Sequence, residues 1–306
     1  MQTLRDIGEH EAIRQLTACI KTASPDLRVG PGDDCAICRL PDGKEWEEVF
    51  TTDPVIEGVH FLAGENPERI GHKAVGRILS DLAAMGAEPR WILVNLVAPA
   101  SQSIDDLKRA YLAMKKLAHS FGAQIIGGDL AEGPRLAFHL FGTGILPAQT
   151  ALLRATAQPG DPLFVTGKLG CSAQGKHLDF MPRVKEGIFL RKTGWVHALM
   201  DISDGLATDL RHLLSASNVG AVLHAEKIPC NGTLQEALFD GEDFELLFSV
   251  SAEQAQPLQA LWSKQFSIPL TQIGILTPQP EQLHLLQPDG TRAPLQEKAF
   301  EHFKSF

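Results

Sequence analysis

The chain is short of positive charge, of cysteines in paired numbers and of long apolar runs, and each shortage removes a class of function. Against 37 aspartates and glutamates it carries 28 lysines and arginines, a net charge of −9. That balance argues against broad binding to nucleic acid or to an anionic membrane. It leaves a nucleotide open, because a few bound metal ions reverse the local field. No run approaches the roughly 20 apolar residues that span a bilayer. The opening Met1-Gln2-Thr3-Leu4-Arg5-Asp6 has no signal-peptide core, so a cytoplasmic location is expected. The five cysteines are an odd count without disulfide-framework spacing. Cys35-Ala36-Ile37-Cys38 has the C-x-x-C spacing but falls in a strand-like run, where residues three apart face opposite sides. Packing is the better reading of that pair. There is also no G-x-x-x-x-G-K-[ST] loop, H-E-x-x-H, G-x-S-x-G elbow or kinase H-R-D signature.

At 306 residues the length suggests about two domains, each able to bury a core. Leu4, Ile7, Ile13, Leu16 and Ile20 approximate a helical stripe ending near Lys21. Pro67 opens a helix expected to reach Met85, stopped by Gly86 and Pro89. Ser103 caps another, with Asp105 and Asp106 in its first turn. Short strands are expected at 35–40, 49–52, 91–97, 124–126 and 136–145. The loop-like Gln158-Pro159-Gly160-Asp161-Pro162 places the domain boundary between about 147 and 160. Domains of 1–147 and 148–306 follow. In the second half, strands at 163–166, 198–202, 221–224 and 244–250 mix with helices near 206–214 and 252–265. Strands and helices without strict alternation predict two mixed α/β (α+β) domains.

What the sequence does have is six short acidic motifs: Gly32-Asp33-Asp34, Thr51-Thr52-Asp53, Ser80-Asp81, Gly127-Gly128-Asp129, Asp201-Ile202-Ser203-Asp204 and Gly241-Glu242-Asp243. Most lie where an apolar run breaks into a turn. Singly, several read as turns, strand exits or helix caps; Ser203 or Asp204 is a good N-cap, and Gly127-Gly128-Asp129 could be a tight turn. Asp81 is harder to dismiss, since it stands among Leu79, Leu82, Ala83, Ala84 and Met85. Gathered in one place, such carboxylates repel by about 4 kcal/mol per close pair at an effective dielectric near 20. Hard divalent cations with oxygen ligands supply the missing counter-charge. The motifs therefore predict a magnesium-rich phosphate site.

In order and together, these motifs resemble those of the thiamine-monophosphate kinases, within the larger group that includes aminoimidazole-ribonucleotide synthetase and selenophosphate synthetase. The matching stretches are Gly32–Ala36, Thr51-Thr52-Asp53 with Glu57-Gly58-Val59-His60-Phe61, Ser80–Ala87, Gly127-Gly128-Asp129, Pro159-Gly160-Asp161, Thr166–Gly170, Asp201–Leu206 and Gly241–Phe248. The resemblance implies an aminoimidazole-ribonucleotide-synthetase-like fold of two α/β domains, dimerising through the N-terminal ones. It implies transfer of the ATP γ-phosphoryl group to thiamine monophosphate, with several Mg2+ ions. Metal contacts are implied for Asp34, Thr51, Thr52, Asp53, Asp81, Asp129, Asp201 and Asp204, and ATP contacts for Tyr111, Gly128, Asp129, Arg154 and Ser203. His60, Glu242 and Phe300 are implied to face the thiamine phosphate. The chain departs from the family pattern at Leu130 and Ala131, where threonines are usual, at Cys171 for aspartate, and at Ala299 and Glu301 beside Phe300.

No general base or covalent nucleophile is expected, because a phosphate monoester with a second pKa of about 6 is already largely dianionic at neutral pH. The expected catalyst is the metal cluster, and Asp53→Asn is expected to lower turnover by orders of magnitude with the fold intact. Two competing readings remain at this stage: a related ATP-dependent synthetase that releases inorganic phosphate, and a nucleotide-binding module without turnover.

Overall fold

The structure is a computed structural model that describes residues 4–7, 11–15, 24–40 and 45–295. Two sheets organise it. The first has six strands: β1 (Leu27–Val29), β2 (Ala36–Arg39), β3 (Trp46–Ile56), β4 (Glu88–Ala98), β5 (Gln124–Glu132) and β6 (Ala137–Pro147), in the order β1-β2-β3-β6-β4-β5. Only β4 and β5 run parallel. Alternation along the long strands divides the sheet into two faces. Val49, Val55, Ile92, Val94 and Leu140 point inward and are buried. Trp91, Leu93 and Phe141 lie on the other face and remain open.

Two helices cover the inner face. Pro67–Ala84 begins as its sequence requires, with Asn66 accepting a hydrogen bond from the Glu68 amide and proline at the first helical position. Ile104–Ser120 is capped by Ser103, which accepts from the Asp106 amide. Ile70, Ala74, Ile78 and Leu82 form the buried stripe of the first helix.

The second sheet contains β7 (Pro162–Thr166), β8 (Val196–Asp201), β9 (Gly220–His224), β10 (Leu246–Val250), β11 (Leu270–Thr277), β12 (Leu283–Leu286) and β13 (Arg292–Pro294), ordered β13-β12-β9-β11-β7-β10-β8. Its middle strands β7 and β10 are buried on both faces, which explains their nearly unbroken apolar sequence. The fold is thus mixed α/β in two sheets. Among the described residues no helix is long and apolar enough to cross a membrane.

The two halves pack closely along helix Pro67–Ala84. One core joins its Ile78 and Leu82 to Leu199, Leu246, Phe248 and Trp262 of the second half. Helix Val184–Thr193 approaches so near that a Cβ on Gly187 would fall 2.1 Å from the Ala83 carbonyl oxygen.

Three local expectations are corrected. Gly127-Gly128-Asp129 is no turn; β5 continues through it to Glu132, because Gly128 pairs against Val94 with no room for a side chain. Neither Ser203 nor Asp204 caps helix Leu206–Ser217. Its cap is Gly205, and Asp209 in the first turn reaches back to accept from the amides of Ser203 and Asp204. Strand β10 starts at Leu246 rather than Phe244, since Gly241, Glu242 and Phe244 all have positive φ, which no strand tolerates. Of the N-terminal stripe, 4–7 and 11–15 are helical, while Leu16 and Ile20 lie outside the described residues.

Candidate metal and phosphate site

Three acids from three motifs meet where the two sheets adjoin. Asp34 stands in the turn before β2, Asp81 in the last turn of helix Pro67–Ala84, and Asp201 at the end of edge strand β8. One oxygen of each lies within 4.8 Å of the others. Thr51, on the inner face of β3, donates its hydroxyl to Asp81. Ser80 donates to Asp201 at 2.5 Å. Asp53 shares the inner face of β3 with Thr51, two residues along.

The electrostatics are those of an under-neutralised cluster. Burial first, then the charges of Asp53 and Asp201, pushes the Asp81 carboxyl well above its ordinary range. Burial and Asp34 raise Asp201 to about 7. Asp33 rises to about 6 through burial and its neighbour Asp34. Carboxylates arranged this way favour a proton or a cation between them. The donor set is oxygen throughout, three carboxylates with two hydroxyls behind them, and it fits a hard divalent ion such as magnesium.

Arg154 borders the cluster. Its guanidinium grips Asp34 in a fork at 3.0 and 2.7 Å, and its amide donates to Asp33 at 3.2 Å. Beside it opens a cleft of about 780 Å³ lined by Asp33, Arg154, Ser203, Asp204 and His212. Asp209, buried at the cleft wall, fixes the backbone of Ser203 and Asp204. Burial, then the charges of Asp204 and Asp201, drives its own carboxyl well upward.

On the other side, two cations and a histidine surround Glu242. Lys73, fully buried, meets it at 2.6 Å, His177 at 3.0 Å and Arg77 at 3.5 Å. Burial opposes the charge on Glu242, yet His177, Lys73 and Arg77 together outweigh it and hold the carboxyl at about 2. Arg77 also pairs with Asp53 at 2.8 Å. The two later acids of this motif are structural. Asp243 accepts from the Gly170 amide, Ser172 and Lys176, and Glu245 is gripped by Arg183. They pin the loop so that the Glu242 amide reaches the Ser203 carbonyl at 2.7 Å.

The implied residues therefore fall into separate groups. Asp34, Asp81 and Asp201 come together, flanked by Thr51, Asp53 and Arg154, with Ser203 and Asp204 at the cleft and Glu242 across Arg77. Thr52 does not join them: it lies on the opposite face of β3 and donates to the Leu140 carbonyl. Gly128 and Asp129 sit on β5, separated from Asp53 by the successive pairings through Leu140 and Val94. Three strand spacings amount to roughly 14 Å. Tyr111 is half-buried against Phe138 on that same side. His60 is buried, its Nδ1 accepting from the Ile56 amide and its carbonyl accepting from Lys73. Phe300 lies outside the described residues.

Sequence reasoning overlooked Lys73, Arg77, His177 and Asp209, and gave Asp33 no role beyond its place in the Gly32-Asp33-Asp34 motif. The spacing of Lys73, Arg77 and Asp81, four residues apart on one helix face, was the available signal.

Residues 32–146 match the N-terminal domain of AIR synthase related protein, and residues 158–285 match its C-terminal domain. The thiamine-monophosphate kinase of Buchnera aphidicola subsp. Acyrthosiphon pisum (strain APS) is 37% identical, with 90% of this chain and 92% of that one covered. That of Escherichia coli (strain K12) is 32% identical, covering 97% and 98%. Among solved structures, AaThiL complexed with AMPPCP and TMP superposes with a TM-score of 0.84 at 26% identity, covering 99% of each chain. Thiamine-monophosphate kinase from Stenotrophomonas maltophilia K279a gives a TM-score of 0.75 at 32% identity, covering 92% of this chain and 96% of that one.

Proposed function

The chain belongs to the thiamine-monophosphate kinase family, and on that footing we propose that it transfers the γ-phosphoryl group of ATP directly to thiamine monophosphate, giving thiamine diphosphate and ADP. The observation that carries this reading is the meeting of Asp34, Asp81 and Asp201, drawn from both halves of the chain, within 4.8 Å.

The acceptor needs no base, since its phosphate is already largely ionised at neutral pH. The obstacle is repulsion between two polyanions, so positioning and charge neutralisation dominate. Magnesium held by Asp34, Asp53, Asp81 and Asp201 would supply that neutralisation. The protein's own groups prepare the place for it. Thr51 and Ser80 orient Asp81 and Asp201 by hydrogen bonds, and Asp209 holds the Ser203–Asp204 backbone at the cleft. Arg154 offers a fork suited to a phosphate of ATP lying in that cleft, once Asp34 turns toward a cation. Glu242 provides a negative charge for the thiazolium ring, and Phe300 a stacking surface.

A homodimer through the domain spanning 1–147 completes the reading. The outer face of the first sheet carries the exposed Trp91, Leu93 and Phe141 and is apolar enough to bury against a second copy. Thr52 and Asp129 both belong to that outer face by register. Face-to-face pairing sets Thr52 and Asp129 of each copy at the seam, while Tyr111 and Gly128 stay on the helix-covered side with Phe138 and Val94. The remaining half, 148–306, contributes Asp201, Ser203, Asp204 and Glu242.

The test is an assay with ATP, magnesium and thiamine monophosphate that follows thiamine diphosphate alongside free phosphate. Stoichiometric thiamine diphosphate and ADP, abolished by chelation, is the expected outcome. Release of inorganic phosphate without thiamine diphosphate, or ATP binding without turnover, would overturn the reading.

A further inference from the structure

Lys73, Arg77 and Asp81 form one row along helix Pro67–Ala84, each a turn from the next. The row leads from Glu242 to the acidic cluster, and Arg77 occupies the middle. Its guanidinium touches Asp53 at 2.8 Å on one side and Glu242 at 3.5 Å on the other, with its carbon over the Phe244 ring at 5.8 Å. Its Nε is buried without a hydrogen-bond partner, whereas the Glu242 oxygen that faces it is held by Lys73 at 2.6 Å. Buried donors are normally satisfied, so the unpartnered Arg77 Nε, beside a guanidinium shared between two acids, marks a place that a ligand completes.

We infer that Arg77 binds the phosphate of the acceptor, while Glu242 takes the cationic ring of the same molecule. This rests on the reading of the acceptor as thiamine monophosphate, a compound with a phosphate at one end and a thiazolium cation at the other. The protein presents the complementary charges in the matching order. Arg77 is next to Asp53 and one turn from Asp81, where the donor phosphate must arrive; Glu242 is farther from the cluster. On binding, the acceptor exchanges an internal Arg77–Glu242 contact for two contacts of its own, and no charge is left unpaired. Lys73 cannot play the same part, because it is wholly enclosed between Glu242, His177 and the His60 carbonyl. It anchors Glu242, whereas Arg77 has donors to spare. A guanidinium fork also suits phosphate better than an ammonium does.

The experiment measures equilibrium binding of thiamine monophosphate and of unphosphorylated thiamine, with magnesium and a non-hydrolysable ATP analogue present. The full-length wild type is compared with Arg77→Met and Arg77→Lys. The wild type is expected to prefer the monophosphate; Arg77→Met should weaken monophosphate binding by about 30-fold or more while leaving thiamine within about threefold, and Arg77→Lys should fall between. The KM for ATP should move little. Retention of the phosphate preference in both variants would overturn the inference, as would equal weakening toward both ligands, which would make Arg77 a packing residue. If Arg77→Met does not fold, Arg77→Lys decides the question by the same comparison. Wild-type protein that binds neither ligand would instead sink the functional reading itself.

Discussion

Ser80 and Asp201, 121 residues apart, share a 2.5 Å hydrogen bond that ties the two halves of the chain together at the acidic cluster. The bond matters because Asp201 is almost fully buried and gains little help from solvent. Its neighbours Asp34 and Asp53 repel it, and Ser80 and Arg154 are what the chain itself sets against that repulsion. Carboxylates so placed are relieved by a proton or by a cation between them.

Asp81→Asn should expose that repulsion. Asparagine keeps an acceptor for Thr51 but removes the buried charge that Asp53 and Asp201 oppose. Metal-free variant protein is expected to melt higher than metal-free wild type, with roughly 2–4 °C gained for each kcal/mol of relief. The further rise in Tm on adding magnesium should shrink or vanish, and turnover should fall by at least about a hundredfold. A lower metal-free Tm with an unchanged magnesium response would remove Asp81 from the cation site.

Gly187→Ala tests how the halves are held in register. The added Cβ would meet the Ala83 carbonyl, a backbone atom that cannot step aside. Overpacking of this kind costs about 1–3 kcal/mol, and the helix that moves is the one carrying Asp81. Both Tm and kcat should drop, whereas Gly194→Ala, at the end of helix Val184–Thr193, meets no atom and bears only the strain of its positive φ, so it should lower Tm while leaving kcat in place. Equal activity of Gly187→Ala and wild type would mean that the interface tolerates separation without disturbing the cluster.

Acid should reveal the ring of partners around Glu242. Its carboxyl ordinarily titrates near 4.5 and is held at about 2 in the folded protein. A lowered folded value contributes stability that is complete above the unfolded pKa and is lost as pH falls through the folded one. Between pH 5 and about 2 the wild type should therefore lose Tm more steeply than Glu242→Gln. Parallel curves for the two proteins would show that the ring gives Glu242 no preference for its charged form.

Leu93→Glu places a charge in the exposed apolar face of the first sheet. Its fold within one chain should survive, since the side chain points away from the core. Light scattering is expected to show dimer for the wild type and monomer for the variant. Activity should fall with the loss of dimer and recover at higher protein concentration. A fully active monomer would mean that no residue of a second copy takes part in the reaction.

The parts of the site that were legible in the sequence are those announced by local chemistry. Asp34, Asp81 and Asp201 each sit beside glycine or hydroxyl residues at a break in an apolar pattern, and the two long helices began at Asn66-Pro67 and Ser103 as their caps require. Asp33 was visible in the same motif but indistinguishable from a turn residue. Lys73 and Arg77 were hidden for a different reason: a cation on an amphipathic helix normally reads as solvated, and only packing against the second half buries these two. The extension of β5 through two glycines was equally illegible, because backbone pairing with β4 overrode a local turn preference.

The sealing of Lys73 turns a structural detail into a clock. Its amine is enclosed by groups from both halves, so an amine-modifying reagent can reach it only when helix Pro67–Ala84 parts from the loop bearing Glu242. Labelling at that single nitrogen would time the parting of the two halves at Glu242.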